Sequence, residues 1–251
     1  MSIAKAKVGD IFSSKFCGDF VVLSYIDSAN VRIRFLHTGY ETVTRNCQVK
    51  NGQVKDRSLP TVHGVGVIGD SYSCWDGSKI RKEYGLWSSM LERCYSPKSH
   101  KSRETYIGCT VSENFKSYTY FYEWCNQQVG FSENNFELDK DLLSGVSKYY
   151  SEGTCVFLPQ EINVALIKQN KKRGDFPVGV TYHKNTGNFV AQLSTSTGRK
   201  HVGAFNNVID AFAAYKKAKE AYLVELAEKW KDKIDDRAYE ALMNYEVGID
   251  D

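Results

Sequence analysis

Residues 179–205, GVTYHKNTGNFVAQLSTSTGRKHVGAF, alternate apolar and polar residues over three short runs. Turn residues separate these runs, with Asn185-Thr186-Gly187-Asn188 in the first gap and Thr197-Gly198-Arg199 in the second. Alternation with a period of two is typical of strands that bury one face. The stretch therefore predicts a small three-stranded sheet.

A long helical pattern follows the predicted sheet, VIDAFAAYKKAKEAYLVELAEKWKDKI at 208–234. Apolar residues that recur at three- and four-residue steps place one face of a helix against a core. The residues predicted for that face are Ile209, Phe212, Ala213, Tyr222 and Leu226. The carboxy-terminal part of the chain, 177–251, is therefore expected to be a three-stranded sheet with a long helix.

The first fifty-odd residues also alternate, in the runs DIFSSKF, DFVVLSYID, NVRIRFLHTG and YETVTRNCQVKNGQV. Gly18-Asp19, 28–30 and 50–52 supply turn residues between them, which predicts a meander of about five strands. Strands this short and this numerous usually close into a small barrel, so we predict an SH3-like barrel over 1–60. Such barrels bind nucleic acid or protein or merely pack, and a protein partner for this one is an open alternative.

The middle of the chain is predicted to be helical after a connector at 61–83. Apolar residues at helical spacing mark two helices. They are Trp87, Met90, Leu91 and Cys94 in the first, and Phe115, Tyr118, Phe121, Tyr122 and Cys125 in the second. The loop PKSHKSRET is expected between them. Together with the strands at either end, these helices predict an α+β fold.

The seven cysteines stand singly, without a CxxC pair. An odd number in this arrangement argues against a disulfide framework and against a zinc ribbon. We expect buried reduced thiols and no zinc. A four-cysteine site from Cys94, Cys109, Cys125 and Cys155 is geometrically conceivable, although nothing in the spacing specifies it.

The net charge of +3 is small, but the charge is unevenly distributed. Basic residues between 168 and 201 are accompanied by a single acid, Asp175. They are Lys168, Lys171, Lys172, Arg173, Lys184, Arg199 and Lys200. A basic middle offset by an acidic end favours local phosphate binding, and an ordinary solvated surface is the alternative.

No run approaches the roughly 20 apolar residues that span a bilayer. The opening MSIAKAKVGD lacks the apolar stretch of a signal peptide. The expectation is a cytoplasmic protein without membrane contact.

Four motifs between Trp87 and Asn163 recur in a specific order: WSSMLERCYSP (87–97), YIGCTV (106–111), LDKDLL (138–143) and YYSEGTCVF (149–157). Their order and spacing resemble those of the motifs in phage-encoded HNH-like homing endonucleases. The resemblance implies a ββα-metal core with flanking helices over 84–167, which hydrolyses phosphodiester bonds of double-stranded DNA in a phage-infected bacterial cell.

The resemblance also implies a metal site. Asp139 matches the carboxylate of the family's first strand and Asn163 matches the ligand on its helix, which together would hold one Mg²⁺ or Mn²⁺. Lys140 occupies the position of the family's histidine base. A lysine with an ordinary pKa of about 10.4 is a poor base at neutral pH.

Other groups are therefore candidates for activating water. They are Asp141, His100 in the PKSHKSRET loop, and a water bound to the metal. Arg93 is the candidate for stabilising the departing phosphate.

The carboxy-terminal stretch contains GV (179–180), FVAQL (189–193), GAF (203–205) and AFAAY (211–215). In this order they resemble the plant ethylene-response-factor (Apetala-two type) DNA-binding domain. That likeness implies a sheet that lies in the major groove, with Phe189, Val202 and Phe205 turned towards the helix. The implied DNA-reading residues are Thr181, His183, Gln192, Ser194, Arg199 and His201, with Lys184 and Lys200 nearby.

A basic linker at 168–176, with Lys171, Lys172 and Arg173, completes the predicted DNA surface. Three functions stay open from the sequence. The first is a DNA endonuclease or nickase, the second a catalytically inactive DNA-binding regulator, and the third an interaction protein that acts through its amino-terminal barrel.

Overall fold

The computed structural model describes residues 4–145, 147–167 and 176–249. The fold is mixed α+β, as the sequence predicts. The chain divides into two compact units, Met1–Glu123 and Trp124–Asp251. Their boundary falls inside the segment predicted as one core, 84–167, and the finer division into five segments stays a prediction. In the described ranges no helix has both the length and the apolar composition needed to cross a membrane.

The first unit opens with a four-stranded antiparallel sheet in chain order. Its strands are β1 (Ile11–Ser14), β2 (Gly18–Asp27), β3 (Asn30–Phe35) and β4 (Glu41–Thr44). The run NVRIRF in β3 shows why the sheet forms, because Val31, Ile33 and Phe35 are buried while Arg32 and Arg34 are exposed. The predicted meander is confirmed for these four strands.

Part of the alternating run YETVTRNCQVKNGQV does not extend as a strand, because Asn46–Lys50 form the short helix α1. The Gln48 side chain accepts hydrogen bonds from Thr44 Oγ1 (2.7 Å) and from the Arg45 amide (3.3 Å), which favours a helical turn here. With these residues in a helix, β1 and β4 are the two edges of the sheet and do not pair with each other. The described residues thus form an open sheet, and the predicted closed SH3-like barrel is not confirmed.

The rest of the first unit contains two small hairpins, a further short strand, the two predicted helices and a helix that was not predicted. The strands are β5 (Pro60–Val62), β6 (Gly66–Val67), β7 (Trp75–Asp76), β8 (Lys79–Ile80) and β9 (Thr110–Val111). The helices are α2 (Lys82–Tyr95), α3 (Pro97–Ser102) and α4 (Tyr118–Gln127), the last of which contains the boundary between the units. The predicted loop PKSHKSRET begins as α3, because Ser96 caps it and Pro97 suits its first position.

The second unit contains a strand pair with its helices and a three-stranded sheet. The first group is β10 (Phe136–Asp139), α5 (Asp141–Ser144), β11 (Tyr149–Tyr150), β12 (Val156–Pro159) and α6 (Gln160–Leu166). The second group is β13 (Val180–His183), β14 (Asn188–Thr195), β15 (Gly198–Phe205), α7 (Val208–Trp230) and α8 (Asp236–Met243). β10 pairs with β12 in antiparallel orientation, and α6 begins directly after β12.

The carboxy-terminal sheet packs against α7, as predicted. Buried Val180, Ala191 and Leu193 meet Phe212 and Tyr215 of the helix. Phe189, Val202 and Phe205 also pack on this core, which confirms the side predicted for them.

The set of residues predicted for the buried face of the long helix is partly wrong. Ile209 is 69% exposed, and Ala213 is exposed as well. Each residue turns a helix by about 100°, so Ala213 points well away from the side that Phe212 buries. The buried stripe instead continues through Tyr215, Lys219 and Leu223.

Gly179 tests how tightly this core is packed. It has φ +76, and a Cβ there would lie 2.1 Å from Tyr215 Cδ2. We expect Gly179→Ala to lower the free energy of unfolding by about 2–4 kcal/mol, from backbone strain plus overpacking. Gly187→Ala is the matched control, since Gly187 has φ +68 but its nearest neighbour, Tyr182 Oη, lies 4.0 Å away. Equal losses in urea titrations of the two variants would contradict this packing.

Candidate metal centre and nucleic-acid interface

Asp139 ends β10 and caps the helical turn that follows. Its Oδ1 accepts hydrogen bonds from the amides of Asp141 (3.0 Å) and Leu142 (2.8 Å). Burial raises the pKa of the Asp139 carboxyl, and these two amide hydrogen bonds oppose that shift only in part. Both bonds use Oδ1, so the capping interaction leaves Oδ2 for another partner.

Lys140 folds back onto the same turn. Its side chain is only 8% exposed, and Nζ forms an ion pair with Asp141 and a hydrogen bond to the Ser147 carbonyl at 3.4 Å. The ammonium also lies 5.5 Å from the centre of the Tyr150 ring. Lys140 and Asp141 therefore form an ion pair within the α5 turn, and their catalytic roles stay predictions.

Asn163 lies on α6 and has one satisfied and one unsatisfied end. Nδ2 donates a hydrogen bond to Glu137 Oε2 at 3.1 Å. Oδ1 is buried and has no hydrogen-bond partner among the described residues. An unpaired buried carbonyl costs about 1–3 kcal/mol, so this oxygen is the kind of group that a ligand satisfies.

Glu137 is the residue that the sequence reasoning missed. Glu137 and Asp139 are two residues apart on β10, so their side chains leave the same side of the strand, with Cα atoms about 6.7 Å apart. Because Asn163 contacts Glu137, the two predicted ligands Asp139 and Asn163 lie along one side of β10. The alternation in FELD (136–139) carried this signal, since it places an acid two residues before Asp139.

The donor set formed by these three residues suits a hard cation. Two carboxylates and an amide oxygen are the ligands that Mg²⁺ and Mn²⁺ prefer. Among the described residues no group of three or more His, Cys, Asp or Glu side chains is arranged to hold a metal. Cys155 belongs to the four-cysteine alternative, and burial raises the pKa of its thiol to about 12.

Arg93 and His100 lie in the first unit and are engaged locally. His100 Nε2 donates to the Arg93 carbonyl at 2.9 Å, which ties α3 back to α2. The Arg93 guanidinium lies 5.7 Å from the centre of the Tyr106 ring. Asp139 and Asn163 belong to the second unit, and the catalytic roles of Arg93 and His100 stay predictions.

The six predicted DNA-reading residues share the face of the carboxy-terminal sheet that points away from α7. The register gives the outward pairs Thr181–Val190, His183–Asn188, Gln192–His201 and Ser194–Arg199. Val202 is an extra residue in β15, because Ala191 pairs with Gly203 and Gln192 pairs with His201. This bulge lets the side chains on either side of Val202 keep the same faces as their partners in β14. All six side chains are exposed except Gln192, which is half-buried.

The predicted cations take different positions. Lys184 is exposed in the turn after β13. Lys200 pairs with Leu193, so its side chain projects from the helix side of the sheet. Lys200 and Arg199 both line a cleft of about 690 Å³ at this tip of the sheet. Lys171, Lys172 and Arg173 lie outside the described residues.

The helix that carries Asn163 is held by the carboxy-terminal sheet and helix. Glu161 accepts hydrogen bonds from Lys229 Nζ (2.5 Å), Trp230 Nε1 (3.1 Å) and Ser196 Oγ (3.0 Å). Burial alone raises the pKa of Glu161, but these bonds outweigh it and hold the pKa below its usual value. Near the other end of α6, the buried Lys219 of α7 donates to the Ala165 carbonyl.

Comparison with known proteins gives no match to a family model, to a curated protein or to a solved structure. The resemblance to HNH-like homing endonucleases and to the ethylene-response-factor domain therefore stays a prediction from the sequence.

Lys219 gives the second unit a distinctive pH dependence. Burial lowers the pKa of Lys219 from 10.5 to about 8, so between these values the unfolded chain binds more protons than the folded one. Stability should therefore rise with pH across that window, by on the order of 3 kcal/mol, as the buried ammonium loses its charge. Lys219→Met should abolish this rise in urea titrations.

Lys217→Met, which removes a charge from an exposed position on the same helix, is the control for the change in net charge. A rise of the same size in Lys219→Met would show that other groups cause it.

Proposed function

We propose that the chain is a DNA-binding endonuclease or nickase, similar to phage HNH-like homing enzymes, that uses one magnesium or manganese ion. One observation carries the proposal. An antiparallel strand pair followed directly by a helix gathers Glu137, Asp139 and Asn163 on one side of β10, where the buried Asn163 Oδ1 has no hydrogen-bond partner among the described residues.

Each residue has a distinct role in this proposal. Asp139 Oδ2 and Asn163 Oδ1 hold the cation, and Glu137 orients the Asn163 amide by accepting from Nδ2. A bound divalent ion supplies Lewis-acid polarisation of the phosphate and a water of lowered pKa. Lys140 acts structurally, because its pairing with Asp141 fixes the turn that Asp139 caps.

The outward face of the carboxy-terminal sheet is the proposed DNA-binding surface. It presents hydroxyl, amide and imidazole groups with a single guanidinium, Arg199, whose planar fork can bind a guanine edge or a phosphate with two hydrogen bonds. Thr181, Ser194 and His201 stand where the ethylene-response-factor domain has arginines and tryptophans that grip bases, which predicts reduced sequence discrimination. Contacts to phosphate should then dominate affinity and make binding sensitive to salt.

A second candidate is a DNA-binding regulator that has lost the chemistry. The pairing of Lys140 with Asp141 favours it, because the residue in the position of the family's base is buried and already bound. The cytoplasmic location and the protein partner of the amino-terminal sheet also stay proposals.

Nicking of supercoiled plasmid in Mg²⁺ distinguishes the two candidates. We expect Asp139→Asn to lower the nicking rate by about 100-fold or more, because it removes the ligand charge and keeps an oxygen that can accept from the α5 amides. Asp232→Asn changes an exposed carboxylate of the same unit and should keep full activity. Unchanged nicking by Asp139→Asn would refute the metal assignment, whereas a wild-type chain that binds DNA without cutting it supports the regulator.

Substitutions of Arg199 and Lys200, which are neighbours in sequence but lie on opposite faces of the sheet, test the proposed DNA-binding surface. Arg199 points outward and Lys200 points to the helix side, so Arg199→Ala should weaken duplex binding and reduce the slope of log K against log salt by about one. Lys200→Ala should change that slope less. Salt titrations of fluorescence anisotropy measure both, and equal effects of the two changes would contradict the assignment of the face.

A further inference from the structure

The helix α6 depends on its neighbours for its position. It is seven residues long and buries only Ile162 and Ala165. Helices this short are unstable by themselves in water, so their placement comes from packing and from contacts at their ends. The cation site proposed above includes Asn163 of this helix, so its geometry also depends on the contacts that position α6.

The polar groups that hold the first turn of α6 come from the carboxy-terminal sheet and helix. Lys229 and Trp230 end α7, and Ser196 lies in the turn between β14 and β15. All three donate to the single carboxylate of Glu161. A carboxylate that accepts three hydrogen bonds, one from an ammonium, is held more firmly than an exposed ion pair.

Trp230 links α6 to β10, the other element of the proposed cation site. Its indole packs edge-on against Phe136, with ring centroids 5.7 Å apart, while its Nε1 donates to Glu161. Phe136 belongs to the same strand as Glu137 and Asp139. The Trp230 side chain thus contacts both the strand that carries Asp139 and the helix that carries Asn163.

We propose that Glu161 is a positioning residue for the cation site. The hydrogen bond from Trp230 to Glu161 holds α6 against β10. The hydrogen bond from Ser196 to Glu161 connects α6 to the turn between β14 and β15, which precedes Arg199. Glu161 touches neither the cation nor DNA in this scheme, and the inference rests on the function proposed above.

Mn²⁺ binding to the full-length chain, measured by electron paramagnetic resonance, tests this role. Glu161→Gln keeps the size of the side chain and removes its charge, and we expect Mn²⁺ binding to weaken about tenfold. Affinity for a duplex oligonucleotide should stay unchanged. Ser196→Ala removes one donor from an exposed turn, so a smaller loss of about two- to threefold in the same direction is expected.

Glu225→Gln is the matched control, because Glu225 is an exposed carboxylate of α7 that lines the same cleft as Glu161. Circular dichroism and urea titration establish that each variant is folded, and Ser196→Ala keeps the test open if Glu161→Gln unfolds. Folded variants at Glu161 and Ser196 that bind Mn²⁺ as tightly as Glu225→Gln overturn the inference and leave the proposed function standing. A wild-type chain that does not bind Mn²⁺ removes the metal-dependent function and the inference together.

Discussion

The packing of α7 against one face of the β13–β15 sheet is the constraint on which the second unit depends. Because side chains alternate across a strand, burying Val180, Ala191 and Leu193 on the helix forces Thr181, Gln192 and their outward neighbours to the opposite side. The same helix then supplies the groups that hold α6. A single apolar interface therefore fixes both the exposed face of the sheet and the location of Asn163.

The proposed cation site combines structural and binding roles in the same side chains. Asp139 uses one oxygen to cap α5, and Asn163 uses its amino group to bind Glu137. In each side chain one polar atom makes a hydrogen bond within the protein, which holds the remaining oxygen in position for a ligand. This preorganisation is what the proposed site for a hard cation requires, and it would account for the buried Asn163 Oδ1 that has no donor among the described residues.

The sequence predicted the carboxy-terminal sheet well because strand alternation and turn residues are local signals. The same local signals failed at α1, where the Gln48 side chain turns an alternating run into a helix, and at Ile209, where the phase of the helix depends on the sheet it meets. The pairing of Lys140 with Asp141 was not predictable either, because it needs the Ser147 carbonyl and the Tyr150 ring, which only the folded turn brings together. Glu137 was predictable in principle, since strand alternation places it on the same side of β10 as Asp139, which the resemblance had already indicated.

The bulge at Val202 accommodates one extra residue in β15 relative to β14. If the strand alternated strictly through Val202, every side chain beyond it would lie on the other side of the sheet. Because the bulge absorbs the extra residue, Arg199 and His201, rather than Lys200, lie on the side of Gln192 and Ser194. Deletion of Val202 would therefore leave a regular ladder with the same outward side chains, whereas a flattened bulge that kept Val202 would turn the guanidinium inward and present an ammonium in its place.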